Sequence, residues 1–258
     1  MFRKSDLYQL RNWTGYSIKK AAKIITISQS SKADIVKYYK VPDEKVVVTY
    51  PGVEEEFKPQ PKEKIEAVKI KYRISGEYIL YVGTLQPRKN LTGLIEAFKK
   101  ITQNSELRTQ NFQLVIVGKK GWQYGQIFKK VQELNLEDKV IFTGFVKDAD
   151  LQALYSGAKC FINISLWEGF GIPVAEAMAC GLPVVVSNTS SLPEVAGGAG
   201  ILVNPESVNE IAAGIAKILN LSTSDYGNLK KKSITQAAKF SWEKCARQTL
   251  EVLENVYF

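Results

Sequence analysis

Two glutamates, Glu168 and Glu176, stand with seven residues between them in the stretch LWEGFGIPVAEAMACGLPVVV. One precedes a Gly-Phe-Gly-Ile-Pro turn and the other follows it, with apolar runs on both sides. Carboxylates accept hydrogen bonds from hydroxyl groups, and peptide N–H groups at a helix start attract anions. The stretch therefore suits a polyol that carries a phosphate, with Gly169 and Gly171 leaving backbone N–H groups uncovered beside the helix start. A hydrogen bond to a charged group contributes about 1.5–3 kcal/mol, or roughly one to two decades of affinity. Taken singly, each acid also has a plainer reading: Glu176 as a favourable dipole contact in a first helical turn, Glu168 as a solvated loop acid.

A second constellation lies in YVGTLQPRKNLTGLIEAF, residues 81 to 98. A buried strand ends at Gly83, a short loop carries Arg88 and Lys89, and Asn90 is placed to cap the helix that follows. A backbone turn, two cations and a helix N-terminus converge there, which suits phosphate oxygens: arginine grips two at once and lysine supplies a point charge. The next two strands, in FQLVIVGKKG and KVIFTGFV, also end in glycine, at Gly118 and Gly144. Glycine at three successive strand ends lets backbone approach a ligand closely. Neither G-x-G-x-x-G nor G-x-x-x-x-G-K-[ST] is built from them, which argues against a nicotinamide dehydrogenase or an ATPase. Asp148-Ala149-Asp150 spells D-x-D, but it opens a helical pattern where acids complement the dipole, and no metal is expected from it.

Elements that alternate must position these residues. Short β-branched runs predict strands over 23–28, 46–49, 78–82, 112–117, 139–143, 159–164 and 183–187. Helical patterns fall over 30–40, 91–102, 125–134, 148–156, 173–180, 208–219 and, in stretches, 225–258. Pro173 suits a first helical position. This alternation predicts an α/β fold, a doubly wound parallel sheet with helices on both faces, whose ligands bind at the carboxyl ends of the strands. The segment PGVEEEFKPQP breaks the periodicity and sets a boundary near residue 51. Residues 51–258 suffice for one such domain; residues 1–50, too few for a core of their own, read as the end of another.

Bulk properties fit. The 258 residues are 45% hydrophobic and 24% charged, with no apolar run long enough to span a bilayer and no secretory leader, so a cytoplasmic protein is expected. There is no histidine, which excludes histidine catalysis within this chain, and the three cysteines, Cys160, Cys180 and Cys245, read as separate free thiols. The net charge of +9 reads as solvated lysines or as attraction to anions, either nucleotide phosphates or an acidic membrane bearing a lipid-linked substrate. Near the N-terminus, Arg3, Lys4, Arg11, Lys19, Lys20 and Lys23 are mixed with Phe2, Leu7, Leu10, Trp13 and Ile18, as in an interfacial helix or one packed on a missing neighbour.

The segments AAKIITISQSSKADIVKYYKVPDEKVVVTYPGV, VGTLQPRKN, EGFGIPVAEAMACGLPVV and FSWEKCARQTLEVLENVY resemble the nucleotide-sugar-binding domain of family 4 glycosyltransferases, over nearly the whole chain. The resemblance implies one Rossmann-like half of the two-domain GT-B fold and a retaining hexosyl transfer from a nucleoside diphosphate sugar to a glycan or lipid-linked hydroxyl acceptor. It implies that Glu176 binds the ribose hydroxyls, that Glu168 lies beside the transferred sugar, and that Phe170, Gly171 and Ile172 meet sugar and diphosphate through backbone. Lys89 with an arginine neutralises the departing diphosphate; many members carry that arginine where this chain has Thr84, and Arg88 takes its place. The expected catalytic set is Glu168, Arg88 and Lys89. The expected donor-binding set is Gly83, Thr84, Gly118, Phe145, Phe170, Gly171, Ile172 and Glu176, with no metal and no separate cofactor. The GTLQPRKN wording looks like mannosyl and related transferases of polysaccharide pathways, and points to GDP-mannose.

Members of the family also bring an N-terminal acceptor-binding domain, whereas these first fifty residues resemble that domain's end, and the helix from Trp242 would cross back to pack there. A separate acceptor-binding subunit and a peripheral membrane contact are the partners implied; nucleic acid is not. A non-catalytic nucleotide-sugar-binding module, a truncated inactive fragment and an epimerase of the same fold stay open beside the transferase.

Overall fold

The computed structural model describes residues 4–103 and 111–257, and divides into two compact units. One joins Met1–Gly52 with Phe240–Phe258 and the other is Val53–Lys239. The segment from 240 onward groups with the first fifty residues.

In the first unit, α1 (Lys4–Lys20), β1 (Ile24–Thr26), α2 (Gln29–Tyr39) and β2 (Val46–Val48) are followed, at the far end of the chain, by α11 (Trp242–Tyr257). β1 and β2 pair in parallel, Ile24 opposite Val46. Ser28 caps α2, its hydroxyl oxygen accepting from the Ser31 N–H at 3.0 Å. The helix expected from the mixed basic and apolar N-terminal segment forms as α1, with Trp13 and Tyr16 exposed and Ile18 buried. Phe2 and Arg3 lie outside the described residues, as do the side chains of Lys4 and Leu7.

The second unit is the doubly wound sheet. Its chain order is α3 (Lys62–Lys71), β3 (Tyr78–Val82), α4 (Leu91–Gln103), β4 (Gln113–Val117), α5 (Gly125–Glu133), β5 (Val140–Gly144), α6 (Asp148–Gly157) and β6 (Cys160–Asn163). There follow α7 (Ile172–Ala179), β7 (Val184–Ser187), α8 (Leu192–Ala196), β8 (Gly200–Val203), α9 (Val208–Leu219) and α10 (Thr223–Ala237). The six strands lie in the order β5-β4-β3-β6-β7-β8, all parallel.

Helices on both faces explain why the strands are continuously apolar. In β3, Tyr78, Ile79, Leu80 and Tyr81 are wholly buried, each contributing about 1.5–3 kcal/mol by leaving water. On α4 the buried Leu91, Leu94, Ile95, Phe98 and Ile101 recur at helical spacing and form its core stripe.

Three elements escaped the periodicity. In α3 only Val68 is buried, while Ile70 is exposed, so no apolar stripe marks it. α8 spans five residues, and β8 is a short edge strand entered through Gly197-Gly198-Ala199-Gly200.

Candidate functional site

The strand order reverses at β3. From β3 the chain proceeds through β4 to β5 on one side; β6 then pairs with β3 on the other and leads to β7 and β8. The loops after β3 and β6 therefore leave neighbouring strands in opposite senses and open a crevice at their carboxyl ends. Arg88 and Lys89 are on the first loop, within a short 3₁₀ turn at Pro87–Lys89, and Glu168 is on the second. Main chain ties the two together: the Leu166 N–H donates to the Arg88 carbonyl at 2.8 Å.

The Glu168 carboxylate accepts from three donors. Arg88 Nη1 reaches Oε2 at 2.9 Å and also donates to the Trp167 carbonyl at 2.9 Å; Lys89 Nζ and the Ser165 hydroxyl, the latter at 2.7 Å, reach Oε1. Ser190 Oγ accepts from the Glu168 N–H at 3.0 Å, and Ser191 Oγ donates to the carbonyls of Glu168 and Phe170 at 3.0 and 2.8 Å. Glu168 is buried, not the solvated loop acid of its plainer reading. Burial pushes its carboxyl up, but Lys89, Ser165 and Arg88 outweigh burial and hold it below its ordinary value. Burial pushes the Lys89 ammonium down, and Glu168 offsets only part of that. The cluster is a carboxylate clamped between two cations, one of which, Arg88, keeps about two-fifths of its side chain in solvent.

Glu176, on the second turn of α7, belongs to a different neighbourhood. The Tyr155 hydroxyl of α6 donates to its Oε2 at 2.9 Å. Burial lifts the Glu176 carboxyl to about 7, against the lowering effect of that bond and with the help of Asp148 and Glu54.

The glycine row holds as geometry. The Gly83 N–H donates to the Val117 carbonyl at 2.9 Å and the Gly118 N–H to the Gly144 carbonyl at 2.9 Å, so the three strand ends lie side by side. A Cβ on Gly118, whose φ is 146°, would stand 2.0 Å from the Gly83 carbonyl oxygen. Gly171, with φ 110°, precedes α7, and a Cβ there would meet Leu192 at 2.7 Å. Phe170 is buried, Ile172 and Thr84 are exposed, and Phe145 is exposed after β5 with Lys119 Nζ 4.9 Å from its ring centre.

Two expectations change in detail. Asn90 takes a left-handed conformation, φ 53°, and its amide donates to the Pro205 carbonyl at 2.6 Å, bridging toward the loop after β8. Asp150 of the D-x-D accepts from Tyr72 at 2.8 Å and from Lys71, fixing α6 to α3. Sequence reasoning missed Ser165, Ser190, Ser191 and Tyr155. The serines carry no periodic signal, and Tyr155 sits among the apolar positions of α6, where an aromatic reads as core.

In open parallel α/β sheets a ligand crevice lies at such a switch point, and here Arg88, Lys89 and Glu168 stand at it. The family model described as "Glycosyl transferases group 1" matches residues 64–240, and the chain belongs to that family. It is 34% identical over 236 residues to "O-antigen chain mannosyltransferase B" of Escherichia coli, covering 91% of this chain and 61% of that protein. It is 36% identical over 237 residues to "Serotype-specific mannosyltransferase WbdA" of Escherichia coli, covering 90% of this chain and 29% of that one. The chain thus spans less than two-thirds of these curated relatives. The crystal structure of Anabaena Alr3699/HepE in complex with UDP and glucose superposes with a TM-score of 0.84 at 22% identity, over 95% of this chain and 66% of that one. The six-stranded sheet with its helices is the Rossmann-like half of a GT-B fold.

Proposed function

We propose that the chain is the donor-binding part of a retaining glycosyltransferase that moves a hexose, mannose being the best supported, from a nucleoside diphosphate sugar to a hydroxyl acceptor in polysaccharide or glycolipid synthesis. The observation that carries the proposal is the meeting of Arg88, Lys89 and Glu168 at the switch point of the sheet. The names of the two mannosyltransferase relatives favour mannose, and so GDP-mannose; UDP with glucose in the Anabaena protein is the competing donor chemistry.

In this reading the diphosphate displaces Glu168 as the partner of Arg88 and Lys89. When the bond between sugar and diphosphate breaks, its electron pair stays on the bridging oxygen, the acceptor hydroxyl oxygen bonds to the anomeric carbon and its proton goes to the departing diphosphate. The two cations stabilise the charge that develops on the bridging oxygen, beyond the charge the diphosphate already carries, more strongly than they stabilise the ground state. Preorganised electrostatics of this kind is commonly the largest catalytic effect. Glu168, released from the cations, faces the sugar; Phe170, Gly171 and Ile172 line it with backbone; Glu176 accepts the ribose hydroxyls; Gly83, Thr84, Gly118 and Phe145 border the nucleotide. The acceptor, a glycan or a lipid-linked one, is held by an acceptor-binding half, on the same polypeptide or a separate subunit, at the cytoplasmic face of the membrane. The exposed Trp13, on the same helix as the exposed Arg11, Lys19 and Lys20, supports a peripheral contact of that kind.

A thermal-shift panel of GDP, UDP and ADP sugars tests the donor: GDP-mannose is expected to raise the melting temperature most. Equal, negligible shifts from every nucleotide sugar would remove the proposal. With the complete two-domain enzyme, NMR of the product is expected to show the anomeric configuration of the donor retained.

A further inference from the structure

Glu176 and Tyr155 form a pair that neither family resemblance nor periodicity brings out. Tyr155 is wholly buried, its ring edge-on to Phe57 and Phe161 with centres 6.1 and 5.6 Å apart. The two ring contacts hold the side chain in place, and its hydroxyl donates to Glu176 Oε2 at 2.9 Å. Burial pushes the phenol far above its ordinary value, so it stays protonated and can donate to the carboxylate. The remaining groups that act on Glu176 are acids: Asp148 from the start of α6 and Glu54 from the segment before α3. Cys180 at the end of α7 feels Glu176 as well, and its thiol is pushed up to about 12 by burial and then by that carboxylate. α10, packed along α7, sets Lys230 against Gly181, beyond the last turn of α7. Tyr155 is thus the hydrogen-bond donor that favours the anionic carboxylate against burial and two like charges.

We propose that Tyr155 is a positioning residue for the nucleotide: its hydroxyl holds one oxygen of the Glu176 carboxylate, orienting the other toward the ribose hydroxyls. The inference rests on the reading of Glu176 as the ribose acceptor. A carboxylate accepts from both ribose hydroxyls, whereas the protonated acid keeps less acceptor capacity, so nucleotide affinity follows the ionisation of Glu176. Affinity is lost as the pH falls through about 7. Removing the Tyr155 hydroxyl removes a group that favours the anion, so the inflection moves to higher pH.

Calorimetric titration of the full chain with GDP and with UDP across the neutral range, for the wild type, Tyr155→Phe and Glu176→Gln, reads this directly. The phenylalanine keeps the ring contacts with Phe57 and Phe161. Tyr155→Phe is expected to bind about tenfold more weakly near neutrality and to shift the inflection upward. The terminal phosphate of a nucleoside diphosphate itself titrates near neutrality, so in the wild type an analogue lacking both ribose hydroxyls is expected to keep only that phosphate inflection and to lose the one due to Glu176, an arm that does not depend on any variant folding. If Glu176→Gln weakens GDP and UDP but Tyr155→Phe changes neither affinity nor inflection, the positioning role is wrong and the ribose reading stands. If Glu176→Gln leaves both nucleotides unaffected, or the analogue without ribose hydroxyls shows the same inflection, the ribose reading fails and the inference with it.

Discussion

The Lys89 amine donates to the Glu168 carboxylate across 79 positions of sequence, joining the loops that follow two neighbouring strands. Neither residue has water enough to be indifferent to this: their side chains are 12% and 9% exposed. Removing one partner leaves the other charge poorly compensated in a largely dry place, which costs more than the pair itself contributes.

Lys89→Ala is therefore expected to lower stability by about 1–3 kcal/mol, with Arg88 left as the carboxylate's cation. On the proposed function it also weakens a nucleoside diphosphate far more than the bare nucleoside, because the lost contact is to phosphate. Calorimetry with GDP and with guanosine separates the two; equal losses for both would rule out a phosphate role.

Glu168 and Glu176 are expected to give stability of opposite sign against pH. Glu168 is held below its ordinary value, so its contribution is present above 4.5 and is lost on acidification below it. Glu176 is raised from 4.5 to about 7, so the fold favours the neutral acid, and that preference is lost as the pH rises from 4.5 through 7. Glu176→Gln should then stabilise the protein above neutrality, by up to about 3 kcal/mol, and much less at acid pH. Denaturant melts at the two pH values check it; a variant no more stable than the wild type in mild alkali contradicts burial as the cause of the raised value.

Asp150→Ala is expected to lower the melting temperature by releasing Lys71 and Tyr72, while nucleotide affinity stays as in the wild type with or without added manganese. A metal-dependent loss of binding would instead make the D-x-D a ligand pair.

Gly118→Ala places a methyl group on the Gly83 carbonyl oxygen in a backbone region that L-residues rarely adopt. The expected loss is about 3 kcal/mol or more, read by chemical denaturation. A loss within about 0.5 kcal/mol would mean that the two strand ends do not approach to within van der Waals contact of an added methyl.

Residue order alone was enough to locate the strands and helices whose burial repeats: β3 and α9 fall where periodicity predicts them, because a wholly buried strand and a striped helix both write their surroundings into residue type. It was enough, too, to place Arg88, Lys89 and Glu168 on loops that follow strand ends, where the structure brings them together. Elements that bury little, such as α3, and short ones, such as α8 and β8, leave no such imprint. Which side chains face each other is settled only once the chain is packed. That β6 pairs with β3 rather than with β5, its predecessor in the chain, is a property of the crossover, and from it follows the contact of Lys89 with Glu168. The ionisation of the two glutamates is likewise set in space: one lies between cations and the other beside a buried phenol and two acids, and burial and charge act through distance, which the order of residues does not contain.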